Sequence, residues 1–323
     1  MSLSLTQLEA ITKDYFMLDN GKAVDLYFYD SFLLNYFLKQ KKGLYETIPG
    51  GDYIVIPMDY DGAEGGFYVK GDTLSSDDRT SINAARFQIK HIYSNATVYR
   101  IDELKTNGDY GVISLVTNRL EKAQKQVNKD LSTSMYAASA GSSQLDGMRA
   151  LCNETATTKY GDIAEDDLVA EDGTKPWEGK MSSASTAMTL DVIRNTRRLA
   201  KIRDGKDGKP DLFVTTEALY QEVETILQAQ QRFTEGVKTA SAGFTGVNYL
   251  GTDIFPDDFC PSGYGFGINS KHLGFGVHVD GNFMRLPWAM IPDSPNDRTM
   301  KILADMNLIC NNRKAHYGWS ALS

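Results

Sequence analysis

The most regular pattern of apolar residues along the chain lies between residues 109 and 135. Apolar side chains recur there in steps of three and four, which places them on one face of an α-helix. Asp109 can cap the start of this helix, which would run for roughly 27 residues and about 40 Å. Because only one face is apolar, we expect the helix to lie across a surface of the protein. Its core face is expected to include Val116, Leu120, Val127 and Leu131.

Two stretches in which apolar and polar residues alternate predict a β-hairpin. The first stretch runs from Tyr53 to Met58, and the second runs from Phe87 to Ile101. Roughly 25 residues rich in Gly and Asp connect them, which is too long for an ordinary hairpin turn. Connections of that length more often serve a function, so this excursion is a candidate binding element.

Residues 1–45 include an unusually aromatic segment, with Phe28, Phe32, Tyr36 and Phe37 close together. So many large apolar side chains must be covered by other protein. Two interpretations fit equally well: a core helix of the same chain, or an arm that lies on a neighbouring subunit.

The remainder of the chain has mixed α and β character. A helix from about residue 189, a short strand at 212–214 and a second helix to residue 227 form a helix, strand, helix unit. Short strands punctuated by Gly and Pro follow at 248–255, 263–268, 272–279 and 300–310. The pattern predicts an α+β fold.

Composition narrows the classes of function. A formal net charge of -8 argues against a protein whose main task is to grip nucleic acid, because such binding requires clustered Lys and Arg. The three cysteines have no metal-binding spacing, and their odd number is a poor disulfide framework, so we expect reduced thiols. No apolar run is long enough to span a bilayer, so no membrane partner is expected.

A search for catalytic chemistry assigns no catalytic, cofactor or metal-binding residues. The four histidines match no zinc pattern, and no Gly-x-Ser-x-Gly motif is present. Two acidic clusters offer oxygen atoms that suit Ca²⁺, but neither matches an EF-hand loop, and we expect such runs to be plain solvated loops. The first cluster is Asp59, Asp61 and Glu64, and the second is Asp162, Glu165, Asp166, Asp167, Glu171 and Asp172.

The order of these parts carries a resemblance across nearly the whole chain. An aromatic arm precedes a long two-stranded excursion, one long amphipathic helix, a mixed α/β region and a closing strand. Individual stretches match as well: residues 142–148, 190–227, 249–256 with 263–268, and 301–322. This order resembles the major capsid proteins of tailed bacteriophages, whose fold is shared with the herpesvirus capsid floor.

The resemblance implies five regions. Residues 1–45 correspond to the N-arm, residues 46–104 to the hairpin called the E-loop and its flanking strands, and residues 105–145 to the spine helix of the P-domain. Residues 146–285 correspond to the A-domain with its loops, and residues 286–323 to the closing P-domain strands.

The resemblance also implies a structural function without catalysis or cofactors. Such subunits form hexamers and pentamers of an icosahedral shell that encloses double-stranded DNA without binding it tightly. A separate scaffold protein, a portal and decoration proteins are implied partners, with assembly in the host bacterial cytoplasm and a final place in the virion. Contacts between subunits are expected from Phe67, Tyr68 and Lys70 of the E-loop, and from Phe28, Phe32, Tyr36 and Phe37 of the arm.

Two other functions remain open at this stage. Another virion protein, such as a tail tube or decoration subunit, would explain the surface texture but not the long helix in this order. A metal-dependent hydrolase would require carboxylates from distant segments to converge in one pocket.

Overall fold

A computed structural model describes residues 31–39, 43–61, 65–73, 81–105, 109–138, 143–153, 159–170, 173–200, 202, 208–229, 237–238, 245–292 and 294–323. These residues form an α+β fold with a six-stranded sheet, a seven-stranded sheet and a separate two-stranded hairpin. The predicted fold class is therefore confirmed.

Six α-helices are described. Helix α1 continues directly into a π-helical turn at Asn35–Lys39. The helices are α1 (Phe32–Leu34), α2 (Arg100–Lys105), α3 (Asp109–Ser134), α4 (Met148–Leu151), α5 (Leu190–Leu199) and α6 (Glu217–Ala229).

Fifteen β-strands are described. In chain order, they are β1 (Leu44–Ile48), β2 (Tyr53–Asp59), β3 (Ile82–Gln88), β4 (Lys90–Val98), β5 (Met181–Ser182), β6 (Leu212–Thr215), β7 (Val237–Lys238), β8 (Thr245–Tyr249), β9 (Thr252–Pro256), β10 (Gly265–Ile268), β11 (Leu273–His278), β12 (Met284–Arg285), β13 (Ala289–Ile291), β14 (Ser294–Cys310) and β15 (Tyr317–Trp319).

The six-stranded sheet is built around β14, a strand of 17 residues. Its residues 298–306 pair with β4, and its residues 306–310 pair with β11. Strand β1 lies parallel to β11 at one edge. On β4 the residues Ser94, Ala96 and Val98 are buried, and α3 packs against this strand.

The predicted long helix is confirmed as α3, which has 26 residues. Its predicted core residues Val116, Leu120, Val127 and Leu131 are completely buried. The apolar stripe thus decides which face of the helix meets the sheet, because burying these side chains removes apolar surface from water.

The seven-stranded sheet has the order β5-β15-β10-β6-β9-β8-β7. Strand β6 lies in its interior with all four residues buried, between antiparallel β10 and parallel β9. Helix α5 packs against β10 and β15 of this sheet, and the indole N–H of Trp319 in β15 donates to Thr196 Oγ1 at 2.8 Å.

Strands β2 and β3 form the predicted hairpin, with Tyr53 opposite Gln88 and Asp59 opposite Ile82. The predicted second strand, from Phe87 to Ile101, is wrong in its bounds. The pairing with β2 ends at Gln88, and from Lys90 the chain belongs to the six-stranded sheet as β4. Alternation continues through Ile89, so the sequence pattern does not reveal that the chain changes sheets.

Strand pairing also crosses two of the predicted region boundaries. Strand β11, placed in region 146–285, pairs with β14 of the closing region. Strand β15, placed in region 286–323, pairs with β10 of the other sheet. Both pairings join residues far apart in sequence, which a reading of consecutive segments cannot detect.

A buried ion pair ties the C-terminal residues to the middle of the chain. Arg313 is completely buried, with Nη1 2.9 Å from Glu165 Oε1. Its guanidinium donates to the carbonyl oxygens of Ala150, Leu151, Asn153 and Trp177. Burial raises the pKa of Glu165 despite the nearby arginine.

Candidate functional site

The tip of the hairpin, residues 65–73, is exposed throughout. Phe67 is fully exposed, and Tyr68 and Val69 remain 69% and 73% exposed. The Asp72 N–H donates to the Val69 carbonyl at 3.0 Å, and the Val69 N–H donates to the Asp72 carboxylate at 2.6 Å. Gly71, with φ 105, supplies the left-handed residue of this turn. The tip is thus a formed turn that presents apolar side chains to solvent.

The predicted E-loop residues Phe67, Tyr68 and Lys70 all lie on this tip and are exposed. Their own subunit leaves them uncovered, and their contact with another subunit stays a prediction.

The base of the hairpin is different from its tip. Ile54, Ile56, Ala85 and Phe87 are buried against the subunit's own core. The opposite face leaves Tyr53, Val55 and Ile82 exposed. The hairpin is therefore anchored on one face at its base, while its other face and its tip remain available.

Two residues of the aromatic segment near the N-terminus lie in the core of their own subunit, as the first of the two interpretations predicts. Phe32 and Phe37 are each 1% exposed. Phe32 stacks on Phe255 with ring centroids 3.9 Å apart, and Phe37 meets the edge of Phe275 at 6.5 Å. The prediction that these two side chains contact a neighbouring subunit is wrong, because their own subunit already encloses them. Phe28 lies outside the described residues.

Tyr36 is partly buried between the rings of Phe32 and Phe37.

A buried carboxylate fixes the start of this segment. Asp257 accepts hydrogen bonds from Ser31 Oγ and from the Leu33 N–H, both at 3.2 Å. Burial raises the pKa of Asp257 above its usual value.

A second exposed apolar patch lies on α2, at the end of β4. Ile101 and Leu104, one helical turn apart, are 64% and 69% exposed, and Tyr99 beside them is about half exposed. Asp102 holds the inner face of α2 to Arg119 of α3 at 3.2 Å. Sequence reasoning missed this patch, although two apolar residues three apart in a short polar helix are a usable signal.

A groove of about 310 Å³ adjoins this patch, between the outer edge of β4 and helix α3. Residues 94–97 and Tyr99 line one wall, and Arg119, Lys122 and Gln126 belong to the other. A second depression, of about 460 Å³, lies at the base of the hairpin and includes Arg86, Lys90, Asp146, Lys159 and Asp162.

The acidic clusters do not converge into one site. Glu165 pairs with Arg313, Asp166 with Lys175, and Asp167 accepts the Ala164 N–H at 2.9 Å. Glu64, Glu171 and Asp172 lie outside the described residues. Over the described part of the chain, no group of three His, Cys, Asp or Glu side chains is arranged to hold a metal ion. No helix among the described residues is long and apolar enough to cross a membrane.

The three cysteines, Cys152, Cys260 and Cys310, are buried free thiols. Burial raises the pKa of Cys310 to about 12 and also raises that of Cys260. Thiols with raised pKa values and no solvent access are poor nucleophiles, so they suit packing and not catalysis.

Comparison with solved structures identifies the fold. No protein-family model and no curated protein matches the chain. The capsid of cyanophage A-1(L) matches with a TM-score of 0.65 and 12% identity, over 91% of this chain and 93% of that chain. The capsid of a native GTA particle matches with a TM-score of 0.59 and 10% identity, over 88% and 89% of the two chains.

A third solved structure is similar to this chain. A virus-like particle from Pyrococcus furiosus has a TM-score of 0.51 and 11% identity, over 92% of this chain and 95% of that chain. All these matches cover at least 88% of this chain, so the resemblance in the order of parts extends to three dimensions. The chain has the major capsid fold of tailed phages.

Proposed function

We propose that this protein is the major capsid protein of a tailed bacteriophage, a subunit that forms hexamers and pentamers of an icosahedral shell around double-stranded DNA. The observation that carries the proposal is the hairpin tip. Its exposed apolar side chains are arranged by a formed turn, at the end of a hairpin whose base is anchored in the core. A monomer gains nothing from this arrangement, whereas a shell subunit needs a projecting element that its neighbour covers.

The rest of the fold supplies a rigid support for such a contact. Helix α3 packs on β4, and β4 pairs along nine residues of β14. Helix α3, β4 and β14 therefore form a rigid support for a contact made at the hairpin. A curved shell of repeated subunits requires such a support.

The proposed function needs no chemical step by this chain, and its partners follow from assembly. A separate scaffold protein would set the size of the shell, a portal would occupy one vertex, and decoration proteins would bind outside. The subunit would assemble in the cytoplasm of the host bacterium and end in the virion. Its net charge of -8 fits a wall that encloses DNA without gripping it.

The test replaces the hairpin's outer part. Asp59 and Ile82 are directly paired, so an Asn-Gly turn in place of residues 60–81 joins the two strands with a favoured two-residue loop. We expect a protein with unchanged circular dichroism and cooperative unfolding that forms no closed shells in negative-stain micrographs.

The matched control keeps the full length of the loop and replaces Gly65 and Gly66 by Ser. These two residues belong to the exposed tip but carry no apolar side chain. A Cβ atom at either position meets no other atom within 4 Å. Shells of normal size and yield from the Asn-Gly protein would contradict the proposal. If the wild-type chain formed only tubes or remained unassembled with its scaffold, the tail-tube or decoration alternative would replace it.

A further inference from the structure

We infer that the exposed face of α3 lies against the enclosed DNA and contacts its phosphate groups through Lys122, Lys125 and Lys129. These three residues are called the lysine row. The inference rests on the proposed function, since it names the surface of the subunit that faces the duplex inside the shell.

The position of the lysine row follows from the helical period of α3. Steps of three and four residues place Lys122, Lys125 and Lys129 on one side of the helix, and all three are exposed. The apolar stripe of the same helix is completely buried, and α3 packs on β4. Because the buried stripe fixes the rotation of α3, the lysine row lies in a fixed line on the surface of the subunit.

The carboxylates near the lysine row do not neutralise it. Among the described residues, neither Glu121 nor Asp130 forms an ion pair with a lysine of the row. Asp130 instead accepts a hydrogen bond from Gln126 Nε2 at 2.8 Å. Ion pairs between residues three or four apart are the usual way in which an exposed helix compensates its lysines. The lysine row therefore keeps its positive charge for another molecule.

The groove beside the lysine row extends the same chemistry. Its lining includes Asn95, Thr97 and Gln126 together with one lysine of the row, and no Asp or Glu residue lines it. Arg119 also lines the groove, but Asp102 lies 3.2 Å from its guanidinium. Amide and hydroxyl groups donate hydrogen bonds to phosphate oxygens, so these side chains can supplement the lysines.

A straight row of cations suits the charge pattern of DNA. Lys122 and Lys129 are seven residues apart, which corresponds to about 10 Å along a helix. Duplex DNA carries one negative charge for about every 1.7 Å of its axis, so several phosphates lie within reach of such a row. A lysine ammonium group is a point charge on a flexible stem, and contacts with phosphates carry no sequence information. Three contacts of this kind in each copy suit a wall that touches DNA without gripping it.

Other surfaces of the subunit are less suitable for DNA. The depression at the base of the hairpin places Asp146 and Asp162 among its cations. On the exposed side of the six-stranded sheet, His91 lies 2.8 Å from the carboxylate of Asp305. Residues 59–81 of the hairpin contain six acidic and two basic residues, a formal net charge of -4. Phosphate groups would meet negative charge at each of these places.

Lysine acylation in purified shells tests the contact directly. A small amine-reactive reagent that passes through the shell is applied to DNA-filled shells and to shells without DNA, and the modified lysines are measured by mass spectrometry. The lysine row should react roughly fivefold less in filled shells, the effect of about 1 kcal/mol of ion pairing at each lysine. Lys159 and Lys301, which are exposed elsewhere on the subunit, serve as controls and should react equally in both.

The salt dependence of DNA binding supplies an independent measurement. Unassembled subunits are titrated with a short duplex of random sequence at several salt concentrations. Three phosphate contacts predict a slope of about −2.7 for the logarithm of the binding constant against the logarithm of the salt concentration. Replacing all three residues of the lysine row by Gln, a good helix former, should bring this slope close to zero with unchanged circular dichroism. The control Lys159→Gln, Lys209→Gln and Lys301→Gln makes the same change of net charge at exposed positions and should keep the slope.

The outcomes separate the inference from the proposed function. Equal acylation of the lysine row in filled and empty shells would overturn the inference and leave the proposed function intact. Protection of the row in both kinds of shell, but not in free subunits, would do the same, because another protein would then cover it. Equal slopes for the two triple variants would also overturn the inference. Failure of the wild-type chain to form shells would overturn the proposed function.

Discussion

Helix α3 and the hairpin tip both carry large apolar side chains, yet the subunit buries those of α3 and leaves those of the tip exposed. The stripe of α3 is completely buried against β4 and its surroundings, whereas Phe67, Tyr68 and Val69 of the tip lie in solvent. The stripe is periodic, and the tip residues are consecutive. Periodic apolar residues indicate a face that the chain covers for itself, while consecutive apolar residues in a turn indicate a surface that another molecule covers.

The largest expected effect comes from placing a charge on the buried apolar face of α3. Val127→Asp buries a carboxylate that has no partner, at a cost of about 5 kcal/mol, which is comparable to the whole stability of many domains. We expect no soluble folded subunit, measured by circular dichroism and size-exclusion chromatography. The matched control is Lys125→Asp, two residues earlier on the exposed side of the same helix. A cooperative, folded Val127→Asp monomer would show that this face is not core.

A smaller loss is expected from the buried ion pair that joins the two halves of the chain. Arg313→Met leaves the Glu165 carboxylate buried without its cation, and four carbonyl groups lose their donor. Removing one partner of such a pair costs about 3 to 4 kcal/mol, measured as the free energy of unfolding in urea. The double variant Arg313→Met with Glu165→Leu should lose less than Arg313→Met alone. Equal losses would mean that the carboxylate does not contribute.

Acid should weaken the core through His316, which is buried with a pKa lowered to about 3, mainly by burial. Its Nδ1 accepts the Asn269 N–H at 3.3 Å, so a proton there would face another donor. The unfolded chain binds this proton near pH 6.5 and the folded chain only near pH 3. Stability is therefore lost as pH falls through this window, by about 2 to 3 kcal/mol at pH 4.5.

His316→Asn keeps an acceptor for Asn269 and removes the titration. Its stability should change less between pH 7 and pH 4.5 than that of the wild type, measured by urea unfolding at both values. Asp257 and Glu165, whose pKa values are raised by burial, contribute in the opposite direction but equally to both proteins. Parallel pH profiles would rule out His316 as the source.

Local periodicity predicted α3 almost to the residue and located the hairpin, because each pattern is decided within a few neighbouring residues. It failed where distant segments decide the outcome. Strand β14 pairs with β4, about two hundred residues away in sequence. Phe32 stacks on Phe255, and the nearby Asp257 accepts a hydrogen bond at the start of α1. Nothing near Phe32 distinguishes a core aromatic side chain from one at an interface.

The sequence also hides polar groups that hold the core. Arg313 lies in a polar stretch after β14, where a solvated arginine is the ordinary expectation. Its burial depends on carbonyl groups from residues 150–177, which become visible only after folding. The exposure of the tip was easier to predict, because a long, Gly-rich, acidic connection without apolar periodicity has no face that its own subunit could bury.

The smallest expected effect on stability, and the sharpest test of the comparison, is Phe67→Ser. Because Phe67 is fully exposed and no other residue of its subunit covers it, the free energy of unfolding should stay within about 0.5 kcal/mol of the wild type. The yield of closed shells should fall, since the aromatic side chain is lost at every contact between copies. Phe87→Ser, in the buried base of the same hairpin, should reverse the pattern, with a clear loss of subunit stability. If Phe67→Ser lowered the unfolding temperature as much as Phe87→Ser, the tip would pack within its own subunit. The hairpin would then not divide into a base that its own subunit covers and a tip that another copy covers.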